Sequence, residues 1–235
     1  MMNAMATKLR LDGRPMTLIV LAGGRSRRMG RDKAVLPVGG GVMIERVLRP
    51  LAGLFDEVVI SVSSSRRART IEDRLRSSGF LKKGSPPHPD SNPRKIKENS
   101  ERIRCAVDGS SGQGPLRGIL TGLQASSNEV CFIVACDMPD IAVPAVRAVV
   151  CRARRCDCAI AVGSNGLREP LFGVYRRGCI PAIETLLASG RRSVLDLYEY
   201  VRTVYVTLAP DDMPLNLNTP SEFDSFIRRL KRPEY

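Results

Sequence analysis

Apolar positions along the chain alternate between two patterns. Short continuous runs occur at 16–21, at 58–60 within 57–63, and at 130–136. Their length and branched content suit strands covered on both faces. The run at 130–136 is the most apolar and reads as a central strand. Between the runs the spacing becomes helical. Met43, Ile44, Val47, Leu48, Leu51, Leu54 and Phe55 predict a helix over 43–55, and Leu116, Ile119, Leu120 and Leu123 predict one over 114–125. Further helices are expected at about 66–78, 144–155, 180–189 and 221–230. Further strands are expected at 103–107, 158–162, 168–175 and 203–208. This alternation predicts an α/β fold with three layers, a mostly parallel doubly wound sheet and helices on both faces.

One stretch breaks the alternation. Between 79 and 104, Pro86, Pro87, Pro89 and Pro93 interrupt any regular element, with Lys82, Lys83, Arg94, Lys95 and Lys97 between them. It reads as a mobile basic loop at about 80–104 inside a single domain spanning 1–235.

Composition narrows the function. No apolar run approaches the roughly 20 residues of a membrane span. Residues 1–15 lack the apolar core of a signal peptide, so a cytoplasmic protein is expected. The net charge of +13 raises the local concentration of anions. Nucleic acid is one such anion, but the chain has no Trp and only 5% aromatic residues to stack on bases, so none is expected as a partner. A triphosphate and a phosphorylated second substrate account for the charge as well. Seven Cys and one His contain no C-x-x-C pair, and the cysteines read as buried free thiols rather than a zinc site.

The candidate chemistry begins where the first strand ends, in Leu21-Ala22-Gly23-Gly24-Arg25-Ser26-Arg27-Arg28-Met29-Gly30-Arg31-Asp32-Lys33. Glycines at a strand tip let backbone approach a ligand and free it to turn, and successive N–H groups there form an anion cradle. Arg25, Arg27, Arg28, Arg31 and Lys33 add five cations. The plain alternative is a solvated basic loop. Neither the G-x-G-x-x-G spacing nor the P-loop spacing is present. A second feature is Asp137 in Cys136-Asp137-Met138-Pro139, at the tip of the most apolar strand, where open α/β sheets bind ligands. Capping of the next helix by Asp137 is the alternative, but Pro144 lies too far along the chain.

The first stretch resembles the signature L-A-G-G-x-S-x-R-M-G-x-D-K of the molybdenum cofactor guanylyltransferases, relatives of the sugar-phosphate nucleotidyltransferases. Further matches are Gly114-Pro115-Leu116 with Gly118, the C-D-x-P setting of Asp137, and Pro170 to Tyr175. The resemblance runs from Leu18 to about Phe226 and leaves out the basic loop, which looks like an insertion. It implies a Rossmann-like nucleotidyltransferase fold and transfer of GMP from GTP to the phosphate of molybdenum-molybdopterin. It implies Mg²⁺ as cofactor and molybdopterin-delivering proteins as partners. Arg28, Lys33 and Asp137 are the implied catalytic residues. Leu21, Ala22, Gly23, Gly24, Lys33, Ser63, Asp108 and Asp137 are implied at the nucleotide, Asp137 and Asn218 at the metal, and Arg192, Asn216 and Asn218 at the pterin.

Three departures stand out. Ser63 occupies a position where the family often has Asn to contact the base, and its reach is shorter. Arg117 replaces a small residue, and Gly173 replaces Ala. The competing readings are a CTP-using cytidylyltransferase, a sugar-phosphate nucleotidyltransferase, a basic nucleic-acid-binding protein and a non-catalytic nucleotide-binding regulator.

Overall fold

The computed structural model describes residues 7–24, 32–81, 103–109 and 114–230. In chain order the elements are β1 (Met16–Leu21), β2 (Pro37–Val38), β3 (Gly41–Val42), α1 (Met43–Leu51), β4 (Glu57–Val62), α2 (Ser65–Ser77), β5 (Ile103–Val107) and α3 (Gly114–Ala125). They continue with β6 (Val130–Ala135), α4 (Val143–Arg152), β7 (Cys158–Val162), β8 (Arg168–Arg176), α5 (Ile180–Ala188), α6 (Val194–Leu197), β9 (Thr203–Thr207) and α7 (Pro220–Leu230).

A seven-stranded sheet has the order β5-β4-β1-β6-β8-β7-β9. Only β8 runs antiparallel, against both β6 and β7. The mostly parallel expectation therefore holds. A local alternation of strand and helix cannot reveal that β8 turns back and inserts between β6 and β7. Beside it the register of β7 shifts between Ile160 and Ala161. A Cβ on Gly173 would meet the Ala159 carbonyl at 2.6 Å, which explains the missing methyl at that position.

The two faces of the sheet bury different side chains of the same strands. Leu18, Val20, Phe132 and Val134 join α1, α2 and α4 on one side. Ile19, Leu21, Cys131 and Ile133 join α3 and α5 on the other. Period-two alternation within runs that are apolar throughout is what three layers require. Among the described residues no helix is long and apolar enough to cross a membrane. All seven cysteines are free thiols, and five of them are buried.

The chain moves outward from β1 through β4 to β5, then returns to the other side of β1 for β6. That reversal opens a crevice at the carboxyl ends of β1 and β6. A third apolar cluster closes it from the C-terminal side: Val38, Met43, Leu217 and Phe226 pack together. Through this cluster α7 docks on the β2–β3 hairpin, whose turn uses Gly39 and Gly40 at positive φ. The Arg229 guanidinium donates to Asp140 at 2.9 Å across the same junction. Thr219 caps α7 by accepting from the Glu222 N–H at 3.2 Å, with Pro220 at the first helical position. Glu222 reaches back and accepts from the N–H groups of Asn218 at 2.7 Å and Thr219 at 2.8 Å.

Most of the expected basic loop, 82–102, lies outside the described residues. Its expected limits are corrected at both ends. Leu81 is buried and bonds back to Leu75, and Arg104 belongs to β5. Arg104 reaches Glu57 at 2.5 Å. Glu57 also accepts from the Thr17 hydroxyl at 2.6 Å, the Ser127 N–H at 2.9 Å and the Ser127 hydroxyl at 3.0 Å. This knot ties the amino ends of β1, β4 and β5 together, at the edge opposite the crevice.

Replacing Glu57 leaves Arg104 with the Ala125 carbonyl and removes the acceptor of two hydroxyls and the Ser127 N–H. Glu57→Ala should lower stability by about 1–3 kcal/mol in urea denaturation, the scale for buried polar groups left without a partner, with activity per folded molecule unchanged. At the other edge, the N–H groups of Thr219 and Asn218 hold the Glu222 carboxyl below the usual carboxylate range. A lowered folded value means the anchor is complete at neutral pH and is lost as pH falls through that value. Hydrogen exchange at the Asn218 and Thr219 amides should therefore accelerate in acid beyond its intrinsic pH dependence, and Glu222→Gln should remove that extra pH dependence.

Candidate active site

Four neighbouring strand tips line the crevice in the order β5, β4, β1, β6. Backbone bonds continue past each strand end and fix them side by side. The Asp108 N–H donates to the Val62 carbonyl at 2.7 Å, the Ala22 N–H to Ser61 at 2.8 Å, and the Cys136 N–H to Leu21 at 3.0 Å. Asp108, Ser63, the Ala22–Gly24 turn and Asp137 therefore form a continuous row.

At β1, Leu21 and Ala22 are buried, and Gly23 lies against β4. A Cβ built on Gly23 would sit 3.5 Å from the Ser63 nitrogen and 3.7 Å from its Cβ. Neither Gly23 nor Gly24 is among the glycines at positive φ. The expected conformational freedom is thus corrected: neither glycine uses a left-handed backbone, and a Cβ on Gly23 would make only ordinary contacts with Ser63. Arg28 lies outside the described residues.

Lys33 follows on a short 3-10 turn capped by Asp32, whose carboxylate accepts from the Ala34 N–H at 3.1 Å. The Lys33 ammonium donates to Asp137 at 2.8 Å and to the Asn218 side-chain oxygen at 3.3 Å. Asp137 is spent on this contact and does not cap α4, where Ala142 is the N-cap. Lys33 and Asp137 are 14% and 19% exposed, so the pair is shielded yet open to a ligand. The Asn218 position comes from a backbone tie, because the Leu217 N–H donates to the Asp137 carbonyl at 3.0 Å.

Two hard oxygens from Asp137 and Asn218 thus converge on one cation. That donor set fits Mg²⁺, which takes one or two protein oxygens and completes its shell with water and phosphate oxygens.

Asp108 is held from α3: its carboxylate accepts from the Arg117 Nε at 3.1 Å and is 9% exposed. Arg117, expected as an extra cation near the site, serves a carboxylate there. Arg192 lies on another rim, its carbonyl 3.4 Å from where a Cβ on Gly114 would stand at the start of α3.

Asn216 has a partner that sequence reasoning missed. Its amide donates to Glu169 at 2.5 Å. The β6–β8 register, Val134 opposite Phe172, brings Glu169 level with Asp137. Burial pushes the Glu169 carboxyl above its ordinary range and the Asp137 charge adds to this, against the Asn216 amide and the Leu171 N–H. The available signal was a carboxylate directly before Pro170 at a strand start. Recognising it required knowing that this strand runs back beside β6.

Comparison with known proteins identifies the family of this fold. The model of the MobA-like NTP transferase domain matches residues 18–203. A probable molybdenum cofactor guanylyltransferase of Pelotomaculum thermopropionicum is 35% identical, covering 88% of this chain and 89% of that protein. One of Methanosarcina acetivorans is 35% identical over 89% of this chain and 88% of its own length. The crystal structure of molybdopterin-guanine dinucleotide biosynthesis protein A from Archaeoglobus fulgidus superposes with a TM-score of 0.69 at 21% identity. It covers 91% of this chain and 98% of that one, and so shares the fold. With the model matching from within β1 to the start of β9, this chain belongs to the MobA-like NTP transferase family.

Proposed function

We propose that this nucleotidyltransferase moves GMP from GTP onto the phosphate of molybdenum-molybdopterin, forming the guanine dinucleotide cofactor and pyrophosphate. The observation that carries the reading is the meeting of Lys33, Asp137 and Asn218 at the β1–β6 crevice, beside the signature strand tip. Relatives spanning about the whole chain bear the name of that activity.

The reaction needs little covalent help. An oxygen of the pterin phosphate attacks the α-phosphorus in line, and the bond to the bridging oxygen of pyrophosphate breaks. The attacking oxygen is already anionic, so positioning and charge neutralisation are what the protein must provide. Backbone N–H groups of Gly23 and Gly24 would cradle the phosphates, the Ala22 N–H being used on Ser61, with Lys33 and, by resemblance, Arg28 as their cations. Asp137 and Asn218 would hold Mg²⁺, which when bound neutralises phosphate oxygens and eases departure of pyrophosphate. Ser63 and Asp108 would face the base, at the far end of the row from Asp137. Asn216, oriented by Glu169, would meet the second substrate beside β8. Arg192 would add a cation at the start of α3. Molybdopterin-delivering partners and a cytoplasmic setting belong to this reading.

The test begins with Asp137→Asn. Turnover should fall at least ~100-fold, the scale of one lost electrostatic element in a site, with an unchanged circular dichroism spectrum. Turnover within a few-fold of the parent would remove Asp137 from the metal site. For base choice, kcat/KM with the pterin substrate should favour GTP over CTP. A Cβ on Gly23 makes only ordinary contacts, so Gly23→Ala should fold normally and narrow the slot beside Ser63. The GTP preference should then shrink by roughly 10-fold, the lower range for one methyl in a pocket. A parent enzyme that prefers CTP would end the guanylyl assignment.

A further inference from the structure

Arg67 lies on the first turn of α2 and is not part of the signature. Its side chain is 14% exposed. The guanidinium spans two parts of the crevice wall. Nη2 donates to Asp32 at 2.6 Å, and Nη1 donates to the Ser63 hydroxyl at 3.4 Å. Nε is buried and has no hydrogen-bond partner among the described residues. Asp32 caps the turn that carries Lys33, and Ser63 sits between Gly23 and Asp108. One arginine thus touches the phosphate end and the base end of the row. Burying a guanidinium with an unspent donor is costly, and a role at the site accounts for keeping it.

We infer that Arg67 is a positioning residue for base choice, making the Ser63 hydroxyl a committed donor toward a purine 6-oxo group. This rests on the reading of the crevice as a GTP site. A serine hydroxyl alone both donates and accepts, so it cannot tell an oxo group from an amino group. Arg67 occupies one of its lone pairs and turns the hydroxyl proton away from itself. The adjacent positive charge favours a ligand carbonyl and disfavours an amine. Guanine presents O6 as an acceptor, while adenine and cytosine present an amino group at the corresponding place. The shorter side chain at 63 is thereby compensated from one turn along α2. Arg67 also stiffens Asp32, and through it the Lys33 turn.

The experiment compares GTP, ATP and inosine triphosphate with the parent protein, Arg67→Met, Arg67→Lys and Ser63→Ala. Inosine triphosphate keeps the 6-oxo group and lacks the 2-amino group, so it separates this contact from one made by Asp108. Equilibrium dialysis without pterin gives affinities, and steady-state turnover gives kcat and KM.

Arg67→Met should weaken GTP and inosine triphosphate through KM by roughly 10-fold more than ATP, the loss common to all three reporting the Asp32 contact. Arg67→Lys should keep the Asp32 ion pair and kcat yet lose the discrimination, because a point ammonium cannot serve both partners. Adding Ser63→Asn to Arg67→Met should restore the preference. Equal losses for all three nucleotides would show a structural strut only and overturn the inference, as would an unchanged GTP-to-ATP ratio. If Arg67→Met does not fold, Arg67→Lys and Ser63→Ala decide by the same ratios. Failure of the parent to use GTP with pterin would strike the proposed reaction, whereas the dialysis ratios would still decide the role of Arg67.

Discussion

The Lys33 ammonium is the point on which this structure converges. Two of its oxygen partners, Asp137 and Asn218, are 104 and 185 residues away in sequence. Each is delivered by a different physical device. Asp137 arrives because β6 pairs with β1 in parallel, so that the two strands end at the same level. Asn218 arrives because an apolar cluster seats α7 on the β2–β3 hairpin and the Leu217 N–H ties the loop to Asp137. Without convergence the charges would sit apart as ordinary surface groups worth little. Brought together in a crevice they set two oxygens around one ammonium, the arrangement on which the proposed cation site rests.

The order of strand tips then sorts the substrates. Moving from β5 to β8, the row runs from a carboxylate held by Arg117, to a hydroxyl held by Arg67, to the glycine turn, to Asp137, and to Glu169 with Asn216. In the proposed reaction, base-reading groups would stand at one end and second-substrate groups at the other, with phosphate chemistry between them. Such a layout suits in-line displacement, where attacking and leaving oxygens must lie on opposite sides of one phosphorus. The excess of positive charge over the whole chain adds attraction for two polyanionic substrates.

Much of this was legible in the sequence, and for identifiable reasons. Continuous apolar runs exposed the buried strands, and helical spacing exposed the layers that cover them. The glycine-and-cation stretch and Asp137 were readable because their chemistry is local to a strand tip. What escaped depends on partners distant in sequence. Glu169 looks like a turn residue until β8 is known to run back beside β6. Arg67 looks like one of many solvated arginines on α2, and only Asp32 and Ser63 reveal its use. Gly23 was read as conformational freedom, whereas its backbone is not left-handed and it lies beside Ser63 with room for a methyl. Gly173 looked like a small departure, and the structure shows it pressed against the Ala159 carbonyl of β7.

The central claim is that this crevice breaks the bond between the α- and β-phosphates of GTP in favour of a pterin phosphate. It is tested most directly with GTP labelled at the α-phosphorus, incubated with the protein, Mg²⁺ and molybdenum-molybdopterin. The account predicts label in a pterin–guanine dinucleotide and one pyrophosphate released for each GMP transferred. Label remaining in GDP with release of inorganic phosphate would mean that the bond to the γ-phosphate is the one attacked, and would contradict it.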